Sequence, residues 1–174
     1  MSGSKHIPYL VMDQVKDDPI ATVACVKAIN DIAHGETAVG RGDKESAITE
    51  FLKAHSTLQG IPKARALLGI IKNKLAACYA GLGEHERSSE YSRDALAIAA
   101  GDPTMAYEEA FARMSLGFSL WVLGDSRTGR NECLKARALF SLLPGCEQNL
   151  AELDENVRML VSRLGNRLGS ERSK

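Results

Sequence analysis

The chain lacks most of what marks specialised classes of protein. No run approaches the ~20 uncharged apolar residues that a membrane-spanning helix requires. The first ten residues, Met1 to Leu10, hold no basic segment followed by a long apolar core, so neither a membrane span nor a secretory signal is expected. Charge of one sign is not in excess: 22 lysines and arginines face 22 aspartates and glutamates. That balance removes the broad positive footprint of a general nucleic-acid binder. The four cysteines, Cys25, Cys78, Cys133 and Cys146, form no close metal-type pair and no dense disulfide framework. Free thiols acting as small hydrophobes, in a cytoplasmic setting, are the expectation. Only five prolines occur in 174 residues while alanine and leucine abound, which favours helix over strand.

Catalytic signatures are missing as well. His6, His34, His55 and His85 are scattered, with no helical ligand pair and no cysteine–histidine cluster, so no metal and no cofactor are expected. His34 takes a place that Leu75 and Leu116 hold in the later repeats described below, and reads as a core-edge residue. There is no phosphate-binding glycine loop and no nucleophile elbow. The glycines of Gly165 to Ser170 follow no strand, so a dinucleotide site fails. Glu108-Glu109 and Asp17-Asp18 read as solvated helix starts, because neighbours on a helix do not face each other. Arg158, Arg163, Arg167 and Arg172 read as the polar face and tail of a last helix.

What is present is a repeat. Gly42, Gly83 and Gly124 recur every 41 residues, each followed by an acid: Asp43, Glu84, Asp125. Pro62, Pro103 and Pro144 keep the same interval, as do Ala54, Ala95 and Ala136. Small residues recur at Gly35, Ala76 and Gly117 and again at Ala47, Ser88 and Gly129. Fixed self-similarity at this scale marks a stacked repeat. The glycines suit a left-handed helix end, the acids a cap on the next helix, and the prolines a first turn. Small residues at two fixed places let paired helices approach closely. The Arg41-Gly42-Asp43 tripeptide is explained by this turn and needs no adhesive role.

Helix pairs are therefore predicted over Pro19 to Val39 and Asp43 to Leu58, Pro62 to Ala80 and Glu84 to Ala99, and Pro103 to Val122 and Asp125 to Leu142. A seventh helix, Glu147 to Leu164, carries Leu150, Leu153, Val157, Leu160 and Leu164 on one stripe, as the end cap of a solenoid should. Residues 1–18 form an extension, 19–164 the repeat domain (repeats 19–59, 60–101 and 102–142, cap 147–164), and 165–174 a frayed tail. The extension places Ile7, Tyr9, Leu10, Val11 and Met12 ahead of an acidic stretch, and is expected to dock on the repeats and occupy their groove.

These positions resemble the tetratricopeptide repeat family, best in the second repeat through Ala76, Tyr79, Gly83, Ser88 and Ala95. The usual period is about 34 residues. The longer one here is similar to the repeats of spindle-orientation scaffolds and kinesin light chains. The resemblance implies an all-α, right-handed helical-repeat solenoid whose first helices line a concave groove. Its groove positions fall on Ile32, Glu36 and Val39, on Ile70, Asn73, Ala77 and Ala80, and on Phe111, Met114, Phe118 and Trp121. The clamp by which some members hold a chaperone's C-terminal carboxylate is not matched: Glu36 stands where asparagine is needed, and Lys74 where the next is expected, with Asn73 one place off. A chaperone tail is disfavoured.

The function expected is a noncatalytic adaptor that binds a protein or peptide ligand, with no nucleic acid and no membrane. Phe111, Met114, Phe118 and Trp121, at offsets 0, 3, 7 and 10, would be its apolar anchors, and Asn73 a hydrogen-bonding partner. The alternative is an assembly subunit using the same apolar face. A remoter one is an enzyme whose site, such as His34 with Glu36 and a cysteine, assembles only on folding. The end cap or the extension filling the stripe would remove the groove. Oligomeric state is left open by the sequence.

Overall fold

Glycine punctuation sets the frame. Gly42, Gly83 and Gly124 adopt φ of 79°, 82° and 100°, and each ends a first helix. In the computed structural model, which describes the backbone of residues 7–171 and the side chains of 8–162, the chain is entirely helical with no strand among those residues. The elements are α1 (Ile7–Val15), α2 (Pro19–Gly40), α3 (Lys44–Leu58), α4 (Arg65–Gly81), α5 (His85–Ala99), α6 (Ala106–Val122), α7 (Ser126–Leu142) and α8 (Glu147–Glu171). Helices α2 and α3, α4 and α5, and α6 and α7 pack as antiparallel pairs, and successive pairs stack. The long repeat comes from long helices: α2 has 22 residues and both α6 and α7 have 17.

The turns explain why glycine and acid travel together. Gly42 N–H bonds the Val39 carbonyl at 2.9 Å and Asp43 N–H the Ala38 carbonyl at 3.0 Å, the paired bonds of a Schellman ending. Gly83 and Glu84 repeat it on Ala80 and Tyr79. The acid then serves the next helix: Asp43 accepts from Ser46 N–H at 3.0 Å and Asp125 from Thr128 N–H at 3.1 Å. Glu84 departs from this pattern and caps nothing with its side chain. Its extra methylene overreaches the cap position, and it pairs instead with Arg87 at 2.9 Å. The prolines split too. Pro62 and Pro103 open short 3₁₀ turns, Pro62–Ala64 and Pro103–Met105, that lead into α4 and α6. Pro144 lies in the turn before α8 rather than in its first turn.

Small residues seat the pairs. A Cβ at Gly35 would stand 2.4 Å from the Phe51 ring; one at Gly117 would stand 2.6 Å from Cys133 Sγ and 2.8 Å from the Gly129 carbonyl oxygen. A salt-bridge network also ties α6 to α7: Arg113 holds Glu109 at 2.8 Å and Glu132 at 2.7 Å, and Lys135 reaches Glu132 at 2.6 Å. Burial alone would raise the Glu132 carboxyl, but hydrogen bonds from Lys135 and Arg113 outweigh it and hold that group below its usual range.

The buried side chains fall into two clusters. One joins α1 through α5 around Phe51, Leu58, Leu67, Ile71 and Leu75. The other joins α6, α7 and α8 around Met114, Phe140 and Leu153. Where α5 meets α6, small polar residues take part in the contact. Ser119 Oγ donates to Ser88 Oγ at 2.8 Å, and Ser92 and Ser115, one turn along each helix, are also buried.

Candidate functional site

The first helices are not evenly spaced. Helices α4 and α6 approach each other directly, whereas α2 and α4 scarcely do. A cleft of about 810 Å³ opens there. Helix α1 closes one end of it by packing on α2, α4 and the Pro62–Ala64 turn, with Val11 and Val15 buried beneath. The docking expected of the extension is thus made by a helix that walls the cleft through Pro8, Tyr9 and Met12. Helix α1, the described part of the extension, leaves Tyr9 79% exposed at the wall of the cleft, and residues 1–6 lie outside the described residues.

Seven of the eleven groove positions named from the sequence line this cleft: Ile32, Glu36, Val39, Ile70, Asn73, Ala77 and Phe111. Val39 and Ala77 are exposed, Ile32 and Phe111 half-buried, and Ile70 forms floor. The third repeat is different. Met114 and Phe118, with Phe111, Ala77 and Ala80, face a smaller space of about 360 Å³ whose far wall is Glu152, Asn156, Met159 and Leu160 of α8. Met114, Phe111 and Phe118 belong to the cluster that holds Leu150, Leu153 and Val157. The last repeat has no successor to stack on it, so α8 lies against its apolar face instead. The chain itself covers that part of the stripe.

Trp121 lines neither space. It is 7% exposed, with its indole Nε1 buried and unpartnered, and a Cβ at Gly129 would stand 2.8 Å from its backbone nitrogen. The anchor expected here is a core residue of the α6–α7 contact. Because it is the sole tryptophan, its fluorescence reads this out: emission is expected to be blue-shifted relative to the free amino acid and poorly quenched by iodide. Ready quenching would contradict the buried placement.

Two polar residues deserve separate description because the sequence misjudged them. Asn73 is only 2% exposed, and its amide donates to the Glu108 backbone carbonyl at 3.0 Å and to Glu108 Oε2 at 2.7 Å. Glu108, expected to be a solvated helix start, is 3% exposed and lines the cleft. The signal was present: Glu108 precedes Phe111 by three residues and so shares its helix face. Asn73 Oδ1 and Glu108 Oε1 are left buried without partners.

The remaining charged residues of the cleft are engaged. Lys74 pairs with Glu36 across α2 and α4 at 2.6 Å, and Lys44 donates to the Gly81 carbonyl at 2.8 Å. His34 is exposed and stands outside the cleft, so the set of His34, Glu36 and a cysteine does not come together there. It is no core-edge residue but groups with Asp31 and Glu50, whose ligand atoms lie within 4.8 Å of one another. This is the one cluster among the described residues with metal-ligand chemistry, and Lys53 already neutralises Glu50 at 2.6 Å. The four cysteines are free and buried. Burial, together with the charge of Glu132, pushes the Cys133 thiol up to about 12, which leaves it without nucleophilic thiolate at neutral pH. No described helix is long and apolar enough to cross a membrane.

Paired helices repeated at a fixed interval, turning on glycine and closing on small residues, define an all-α helical-repeat solenoid of the tetratricopeptide type. Among solved structures the chain is similar to the C-terminal TPR-containing domain of a Plasmodium falciparum protein assigned as an FK506-binding protein, with a TM-score of 0.66 over 92% of this chain and 99% of that one. At 15% identity that likeness concerns the fold. No family model matches the sequence, and no curated protein does.

Proposed function

We propose that this chain is a noncatalytic interaction module that binds an apolar peptide or one face of an amphipathic helix in the cleft between α2 and α4. The observation that carries the reading is the cleft itself: a space of about 810 Å³, walled by aliphatic and aromatic side chains with few polar groups, within the size range of ordinary ligand sites. Its walls are first helices of the repeats, the surface on which helix-in-groove recognition depends. Ile32, Val39, Ile70, Ala77 and Phe111 supply the apolar contact; Met114 and Trp121 are left out because the chain buries them, and Phe118 because it lines the smaller space beside α8.

Protein or peptide partners suit a neutral chain better than nucleic acid does. A chaperone-type carboxylate tail would have to compete with Glu36 for Lys74. A cytoplasmic setting accords with four unpaired, buried thiols.

The test uses Ala77, which is exposed, sits on α4 and lines both spaces. A displayed library of random 12-residue peptides is selected on the full chain, and enriched peptides are measured by fluorescence anisotropy. Ala77→Trp, which fills the cleft without adding charge, is expected to abolish their binding while leaving the circular dichroism unchanged. Peptides that bind Ala77→Trp as well as the parent, or a selection that enriches nothing, would refute the reading.

A further inference from the structure

We infer that the segment seated in the cleft carries a basic side chain, lysine or arginine, which docks on the buried acceptor pair formed by Glu108 and Asn73. The inference rests on the groove reading above and adds the chemistry the occupant must bring.

The deficit at this pair is one-sided. Glu108 Oε1 and Asn73 Oδ1 are both acceptors, both buried and both without a partner. Among the described residues, the one donor to the Glu108 side chain is the neutral amide of Asn73, at 2.7 Å. A carboxylate oxygen removed from water and left unpaired is costly, and a matching cation removes most of that cost. No described residue provides one. The two lysines that line the cleft are committed elsewhere, Lys74 to Glu36 and Lys44 to the Gly81 carbonyl. A basic group carried by the occupant would supply the missing donor.

Reach and strength both favour this arrangement. The pair bridges α4 and α6 and both residues line the cleft. The carboxylate torsion of a glutamate is soft, so rotation brings Oε1 toward an incoming group without moving the helix. Ile70 and Phe111 flank the pair, and apolar surroundings strengthen a charge-assisted hydrogen bond. A long aliphatic stem ending in an ammonium or guanidinium fits: its methylenes lie on the apolar walls while its head meets the acceptors. A ligand carboxylate at the same place would be repelled.

The experiment starts from fluorescein-labelled peptides enriched on the full chain whose binding Ala77→Trp abolishes. Such peptides are expected to share one lysine or arginine among apolar residues. Replacing that residue by norleucine should weaken binding to the unmodified protein at least about tenfold, the range for hydrogen bonds to charged groups. On Glu108→Gln, which keeps an acceptor for Asn73 but loses the charge, the basic and norleucine peptides should bind within about twofold of each other. The norleucine comparison on the unmodified protein stands even if Glu108→Gln folds poorly. Groove-dependent peptides without a basic residue, or a norleucine swap that changes nothing, would overturn this inference and leave the groove reading intact. Failure to obtain any peptide sensitive to Ala77→Trp would overturn both.

Discussion

Phe51→Ala is expected to lower the unfolding free energy by about 3–5 kcal/mol, the range for emptying a buried phenylalanine site. Phe51 is 1% exposed, and its ring occupies the hollow left by the missing side chain of Gly35. This pairing gives the prediction a second arm. Gly35→Ala alone should destabilise, because its Cβ would lie 2.4 Å from Cε1 of the buried ring, which must shift to admit it. In the Phe51→Ala background the same methyl enters a cavity, and the helix gains from replacing glycine by alanine. There Gly35→Ala is expected to stabilise by about 1 kcal/mol. Urea unfolding of the four proteins closes the cycle. Equal effects of Gly35→Ala in both backgrounds would show that ring and glycine do not share that space.

Gly129→Ala should cost about 3 kcal/mol, at the upper end for overpacking. The reason for the large value is what the methyl meets: the Gly117 carbonyl oxygen at 2.6 Å and the Trp121 backbone nitrogen at 2.8 Å. Neither atom can swing aside as a side chain can, so α6 and α7 must separate along their length. Gly40→Ala is the matched contrast. Gly40 ends α2 with nothing within 4 Å of the added Cβ and no positive φ. Substitution there is expected to stabilise by up to about 1 kcal/mol. Thermal unfolding of the two variants should therefore shift in opposite directions. A similar loss at both would mean that glycine at 129 is not required by close helix approach.

These glycines also show why so much of the fold was legible. Gly42, Gly83 and Gly124 advertise left-handed helix ends, and Gly35, Gly117 and Gly129 advertise contact, because glycine is costly inside helices without such a reason. The caps were legible where the residue was aspartate and misjudged at Glu84, where side-chain length decides. Helix α1 went unseen as a helix although Ile7, Val11 and Val15 are spaced by four, the interval of one helical face. Ile32, Glu36, Val39, Ile70, Asn73, Ala77 and Phe111, which line the cleft, were named by carrying groove positions over from the tetratricopeptide resemblance. The loss of Met114, Phe118 and Trp121 from that surface could not be carried over in this way. Two apolar stripes on one helix say that both faces are covered, not by what, and only the path of α8 settles it. The burial of Glu108 was hidden for a related reason: its face was readable, but not the arrival of Asn73 from another repeat to meet it.

The serine contact between α5 and α6 has a consequence for how the molecule comes apart. The hydrogen bond between Ser119 and Ser88 is buried where the two helices meet, and a polar pair adds specificity to a join more than cohesion. Each apolar cluster is cohesive within itself. A short array of this kind behaves as coupled neighbours rather than as one indivisible block, and the boundary between its two apolar clusters lies close to that join. Under mild denaturant, α6 to α8 would open as one cooperative unit while α1 to α5 hold. Amide exchange would then divide the chain near residue 100, between two repeats that the sequence presents as equivalent.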